Sequence, residues 1–138
     1  MSALPVEPSS DTTSATIFVV DPDILVRMFI ADYLRECGYK VVEGVNADDV
    51  LAVLEAGRKI DVILTEVQLA GSVDGFELAR QIRENHPDID VILTSGVTRA
   101  ADKAGICDDG PVAKPYQSHE IVRRINILRE RRRRALRP

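Results

Sequence analysis

The chain has 138 residues, enough for one domain with its own buried core and too few for two of ordinary size. With 45% hydrophobic and 29% charged residues it has the make-up of a globular protein. No apolar run approaches a membrane span, and the N-terminus has neither the basic nor the apolar region of a secretory leader, so a cytoplasmic location is expected. The net charge of -4 is unevenly spread: residues 119–138 sum to +6, from eight arginines against Glu120 and Glu130, and residues 1–118 sum to -10. An acidic body with a basic end bears on partners rather than on fold.

Residues 1–14 are rich in Ser, Thr, Pro and acid without apolar period, and read as a disordered tail. From Ala15 onward, short β-rich runs alternate with helical patterns. Thr16–Val20 is the first strand, followed by a helix whose apolar stripe is Ile24, Leu25, Met28 and Ala31, closing near Cys37-Gly38. Lys40–Gly44 is the second strand, and Asn46 caps a helix with Val50, Leu51, Val53 and Leu54 on its stripe. Asp61–Thr65 is the third strand. Asp74 then has the position of an N-cap, with Glu77 three residues on, for a helix reaching about Asn85. Asp90–Thr94 is the fourth strand, a weakly patterned helix covers about 99–104, and a brief fifth strand lies around 111–113. The last helix follows Ser118, with Ile121, Val122, Ile125 and Leu128 at helical spacing. Cys37 and Cys107 form no C-x-x-C pair, and each is expected to be a reduced, buried thiol.

Five βα units with nearly continuous apolar strands imply a parallel sheet covered on both faces, hence a doubly wound α/β fold. Function in such folds gathers beyond the carboxyl ends of the strands. There the sequence places Asp21 and Asp23 after strand one, Glu66 after strand three, Ser95 and Gly96 after strand four, and Lys114 after strand five. Carboxylates suit a hard cation such as Mg²⁺, and a lysine with a hydroxyl suits phosphoryl oxygens. Taken singly, each residue has a plainer role as a cap, a turn or a surface charge. It is their convergence from four strands that points to a site.

Five segments carry a resemblance: Ile17-Phe-Val-Val-Asp-Pro-Asp-Ile-Leu-Val-Arg27, Asp61-Val-Ile-Leu-Thr-Glu-Val-Gln-Leu-Ala-Gly71, Asp74-Gly-Phe-Glu-Leu-Ala-Arg80, Val91-Ile-Leu-Thr-Ser-Gly96 and Lys114-Pro-Tyr116. In this order the chain resembles the response-regulator receiver domains of two-component signalling. The resemblance implies a flavodoxin-like (βα)5 fold with strand order 2-1-3-4-5. It implies a receiver domain over 15–130, with residues 131–138 left as an Arg-rich tail. It further implies a phospho-acceptor at position 66 and a Mg²⁺ site using Asp21, position 66 and the backbone carbonyl of Gln68. Ser95 and Lys114 would read the phosphate, and the Lys114–Pro115 bond would be cis. Implied partners are a histidine kinase, a phosphotransfer or output protein, and a second copy bound through the fourth helix, fifth strand and last helix.

Three positions depart from the family pattern. The acceptor is Glu66 rather than aspartate, Pro22 replaces the second acid and leaves Asp23 one place late, and Pro111 replaces the aromatic switch residue. One added methylene moves a carboxylate by about 1.5 Å, and phosphoryl transfer is governed by position. The expectation is therefore a degenerate, stand-alone receiver that binds partners, with Mg²⁺ binding weak or absent and a permanent Glu66 carboxylate paired with Lys114 and accepting from Ser95. The alternative is a phosphorylatable regulator that tolerates the changes. A third reading is binding through the arginines of Arg129–Arg134 and Arg137: nucleic acid is disfavoured because no aromatics interleave and no DNA-binding motif is present, while docking on an acidic partner, or on a neighbour's acidic body, stays open. No turnover enzyme is expected: His86 and His119 lie away from the strand ends, and there is no P-loop.

Overall fold

The computed structural model describes residues 15–96 and 110–136. The expected N-terminal tail, the helix at 99–104, Cys107 and Arg137 lie outside the described residues. The elements are β1 (Thr16–Val20), α1 (Ile24–Glu36), β2 (Lys40–Gly44), α2 (Ala47–Glu55), β3 (Val62–Glu66), α3 (Gly75–Asn85), β4 (Asp90–Ser95), β5 (Val112–Ala113) and α4 (Ser118–Ala135). All strand pairs are parallel, in the order β2-β1-β3-β4-β5. The expected topology is therefore the observed one.

Strand alternation divides the core into two layers. Ile17 and Val19 of β1 face α1 and α4, where Ile30, Leu34, Ile121 and Ile125 cover them. Phe18 and Val20 face α2 and α3, beneath Val50, Leu78 and Ile82. Side chains of this size contribute about 1.5–3 kcal/mol each when fully buried, so the two layers supply most of the stabilisation.

Helix starts follow from their caps. Asp23 accepts from the N–H groups of Leu25 and Val26, Asn46 from that of Asp49, and Asp74 from that of Glu77. At the end of α1, Gly38 takes a φ of 99° and the Tyr39 N–H reaches back to the Leu34 carbonyl, which turns the chain into β2.

Two expectations are corrected. The buried face of α1 is Ile30, Ala31 and Leu34, while Ile24, Leu25 and Met28 are exposed. The phase of the helix is set by Arg27, whose guanidinium donates to the Asp21 carbonyl at 2.7 Å. That bond turns Arg27 toward the sheet, and residues three, four and seven further on follow it inward. Both sides of α1 are apolar, so the stripe alone could not choose between them. The second correction is that α4 continues through 131–135, which the sequence reading set apart as a tail. Arg132 clamps it there, donating to Asp90 Oδ2 and to the Pro87 carbonyl, each at 2.8 Å. Arg124 donates to the Gly110 carbonyl, and Glu130 pairs with Arg133 and Arg134. Much of the arginine run thus has partners within the chain.

At the start of α3 the backbone comes close to the end of β3. A Cβ on Gly75 would lie 2.4 Å from the Glu66 carbonyl oxygen and 2.8 Å from the Val67 Cα. Gly75→Ala is expected to destabilise the fold by about 2–3 kcal/mol through overpacking against backbone. Urea unfolding measures this, and a midpoint unchanged from the native chain would refute the close approach.

Candidate functional site

Three strands deliver the central charges. Asp21 leaves β1, Glu66 ends β3 and Lys114 leaves β5, and the first two are 4% and 6% exposed. Lys114 Nζ lies 2.5 Å from Asp21 Oδ2 and 2.7 Å from Glu66 Oε2. One ammonium therefore bridges two buried carboxylates. Burial is the largest influence on Lys114 and pushes its pKa down, but hydrogen bonds and charge from Asp21 and Glu66 outweigh it and hold the pKa above the ordinary lysine value. Tyr116 follows in sequence. Burial raises its phenol pKa, and the negative charges of Asp21 and Glu66 raise it further.

The remaining oxygens are also engaged. Asp21 Oδ1 accepts from the Asp23 N–H at 2.9 Å. Glu66 Oε2 accepts from the Thr94 hydroxyl at 3.3 Å, and Oε1 receives a long contact from the Gln68 N–H at 3.4 Å. The Asp21 backbone is fixed by its own N–H donating to the Gly44 carbonyl and by Arg27 on its carbonyl. Arg27 itself pairs with Glu43 at 3.4 Å.

Asp21, Glu66 and Lys114 therefore meet as the sequence predicts. Ser95 is buried at the end of β4, and its carbonyl accepts from the Lys114 N–H at 2.9 Å. Asp23 sits beside the site, but its carboxylate is committed to capping α1. Gln68 faces Glu66 through its N–H. The Lys114–Pro115 peptide bond is cis. Sequence reasoning missed Thr94, which supplies a hydroxyl to Glu66, and Arg27, which holds the Asp21 loop. Thr94 is the register partner of Glu66 across β3 and β4, so strand register is the signal that reveals it.

The donor set suits Mg²⁺ poorly. Among the described residues no three His, Cys, Asp or Glu side chains gather as a cation cage. The two carboxylates that do converge are occupied by an ammonium. A divalent ion would have to displace Lys114 or share its partners, against direct charge repulsion.

A five-stranded parallel α/β sheet with an acid–lysine cluster at its carboxyl edge defines a receiver-type signalling fold. The match to the response regulator receiver domain model covers residues 17–126, and the chain belongs to that family. It is 29% identical over 131 residues to the sensor kinase CckA of Brucella abortus, covering 91% of this chain and 14% of that protein. It is 32% identical over 123 residues to the transcriptional regulatory protein ResD of Bacillus subtilis, covering 87% and 50% respectively. The chain thus spans half or less of the length of these two relatives. Among solved structures, a CheY-like receiver domain protein of Methanospirillum hungatei superposes with a TM-score of 0.75 at 19% identity, covering 88% of this chain and 98% of that one. No helix among the described residues is long and apolar enough to cross a membrane.

Removing Lys114 leaves two neighbouring carboxylates buried without their cation. Lys114→Met is expected to cost about 3 kcal/mol at pH 7. In the native chain the folded pKa of Lys114 is raised, so its contribution is complete below the unfolded lysine value. That contribution fades as pH rises through the higher folded value. Urea unfolding at neutral and at strongly alkaline pH measures both effects; a Lys114→Met variant as stable as the native chain at pH 7 would contradict the bridging role.

Proposed function

We propose that this receiver domain is a degenerate one that signals by binding other proteins rather than by cycling a phosphoryl group. The observation that carries this reading is the Glu66 carboxylate, buried and held by Lys114 at 2.7 Å and Thr94 at 3.3 Å. The acceptor position already presents negative charge to the lysine and a strand-four hydroxyl, which are groups suited to phosphoryl oxygens. The extra methylene brings the carboxylate to them without a covalent step. The charge is permanent, so the site stays in one electrostatic state. Mg²⁺ binding is weak, because Pro22 supplies no carboxylate, Asp23 is committed to its helix cap, and Lys114 holds the two acids that remain.

The partners belong to two-component signalling: a histidine kinase, a phosphotransfer protein or an output protein. Relatives that include a sensor kinase and a transcriptional regulatory protein support that setting, and with it a cytoplasmic location. The module works by association and not by turnover.

Incubation with acetyl phosphate and Mg²⁺ tests the proposal by intact mass. The native chain is expected to gain no phosphate, and titration to millimolar Mg²⁺ to give no saturable binding. Glu66→Asp shortens the side chain and frees space before Lys114, and is expected to label where the native chain does not. A stable phosphate adduct mapped to the native site would overturn the reading.

A further inference from the structure

The amino-terminal edge of the sheet, opposite the Glu66 cluster, holds a second charged cavity. Its volume is about 410 Å³, and it lies between the loop entering β3 and the last turns of α4. Lys59, Asp61, Asp88, Arg129, Arg132 and Arg133 supply its charges. Two of these four cations are committed elsewhere. Arg132 donates to Asp90 and to the Pro87 carbonyl, and Arg133 pairs with Glu130.

Arg129 and Lys59 are placed differently. Each comes no nearer than 3.9 Å to a carboxylate, and both approach the same oxygen, Asp61 Oδ1. That distance is too long for a hydrogen bond. Among the described residues neither side chain has another partner. For Lys59, whose side chain is 88% exposed, this is ordinary. The Arg129 side chain is only 22% exposed. A guanidinium carries a rigid fork of N–H donors suited to carboxylates, and here a largely buried one engages none of them. Asp61 is held away from it, because its Oδ2 accepts the Thr16 N–H at 2.8 Å. Asp88, the other acid of the lining, is exposed and pairs with neither cation. The cavity therefore has cationic donors in place and lacks the carboxylate that would satisfy them.

Residues 1–14 carry that chemistry. They include Glu7 and Asp11 and no lysine or arginine. They join the fold at Ala15, which is buried in the layer covered by α1 and α4. The next residue, Thr16, is the one bound to Asp61. A single carboxylate thus links the point of entry to both Lys59 and Arg129. Asp11 precedes Ala15 by four residues and Glu7 by eight, so at full extension they reach up to about 14 and 29 Å from it. Both acids are within reach of Arg129. The segment has no apolar period with which to pack, so charge is the contact open to it.

We propose that the acidic N-terminal segment docks in this cavity of its own chain, with Asp11 and Glu7 on Arg129 and Lys59. The contact ties the entry of β1 to the last turns of α4. It also covers arginines that an acidic protein partner would use, so such a partner has to displace the segment first. The contact is independent of the chemistry of Glu66.

NMR of the full ¹⁵N-labelled chain at pH 7 tests it. At low salt the amides of Glu7 and Asp11 are expected to show positive heteronuclear NOE values, the mark of restricted fast motion. In a variant carrying Lys59→Gln and Arg129→Gln those values are expected to fall towards zero or below, and high salt is expected to do the same to the native chain. Arg132 still clamps α4 in this variant, and circular dichroism checks its fold. Reciprocally, Glu7→Gln with Asp11→Asn is expected to move the Arg129 Nε–H signal. NOE values that are the same in the native chain and the Lys59/Arg129 variant overturn the proposal, as does an Arg129 signal that the acid substitutions leave in place. Native signals from residues 7–11 that change with protein concentration would seat the segment on a second copy, and so overturn a contact within one chain.

Discussion

One ammonium holds the carboxyl edge of this sheet together. Lys114 reaches from the exit of β5 past β4 to β3 and the exit of β1, and meets one carboxylate from each of those last two strands. Two carboxylates this close and this buried would repel each other strongly without it. With it the cluster carries a single residual negative charge, and each carboxylate has a further backbone or hydroxyl donor. The loops after β1, β3 and β5 are consequently fixed relative to one another by electrostatics and not only by the ladder of the sheet. That ladder is weakest at β5, which contributes only two residues.

The same edge is braced from outside. Arg27 holds the Asp21 carbonyl and pairs with Glu43, which in turn pairs with Arg35 on the next turns of α1. This chain ties α1 and β2 to the loop that aims Asp21. At the opposite edge Asp61 receives the Thr16 N–H at 2.8 Å, and Arg132 holds Asp90. Each end of the sheet thus has its own polar anchor, and the apolar layers lie between them.

Much of this was legible in the residues. The apolar runs of β1, β3 and β4 are continuous and bounded by polar residues, so they could be read directly. Asn46 and Asp74 announced their helices because a cap is a local interaction between neighbours in sequence. The meeting of Asp21, Glu66 and Lys114 could be read too, because strand ends in a doubly wound sheet converge by topology. What sequence could not give was the result of tertiary contacts. The phase of α1 depends on a bond from Arg27 to a backbone carbonyl outside the helix. The hydroxyl on Glu66 belongs to Thr94, because of the register of β3 against β4. The continuation of α4 rests on Arg132 finding Asp90, 42 residues away in the chain.

The contact between Gly75 and the Glu66 carbonyl separates two properties of position 66. Its main chain is wedged beneath the first residue of α3, and the Gly75 N–H donates to the Val67 carbonyl at 2.7 Å. Its side chain points the other way, into the charged edge. The backbone there is a fixed socket, and what is plugged into it can change without the scaffold noticing. The acid carried at position 66 and the seating of α3 on β3 are therefore independent of each other: one is a matter of side chain, the other of main chain.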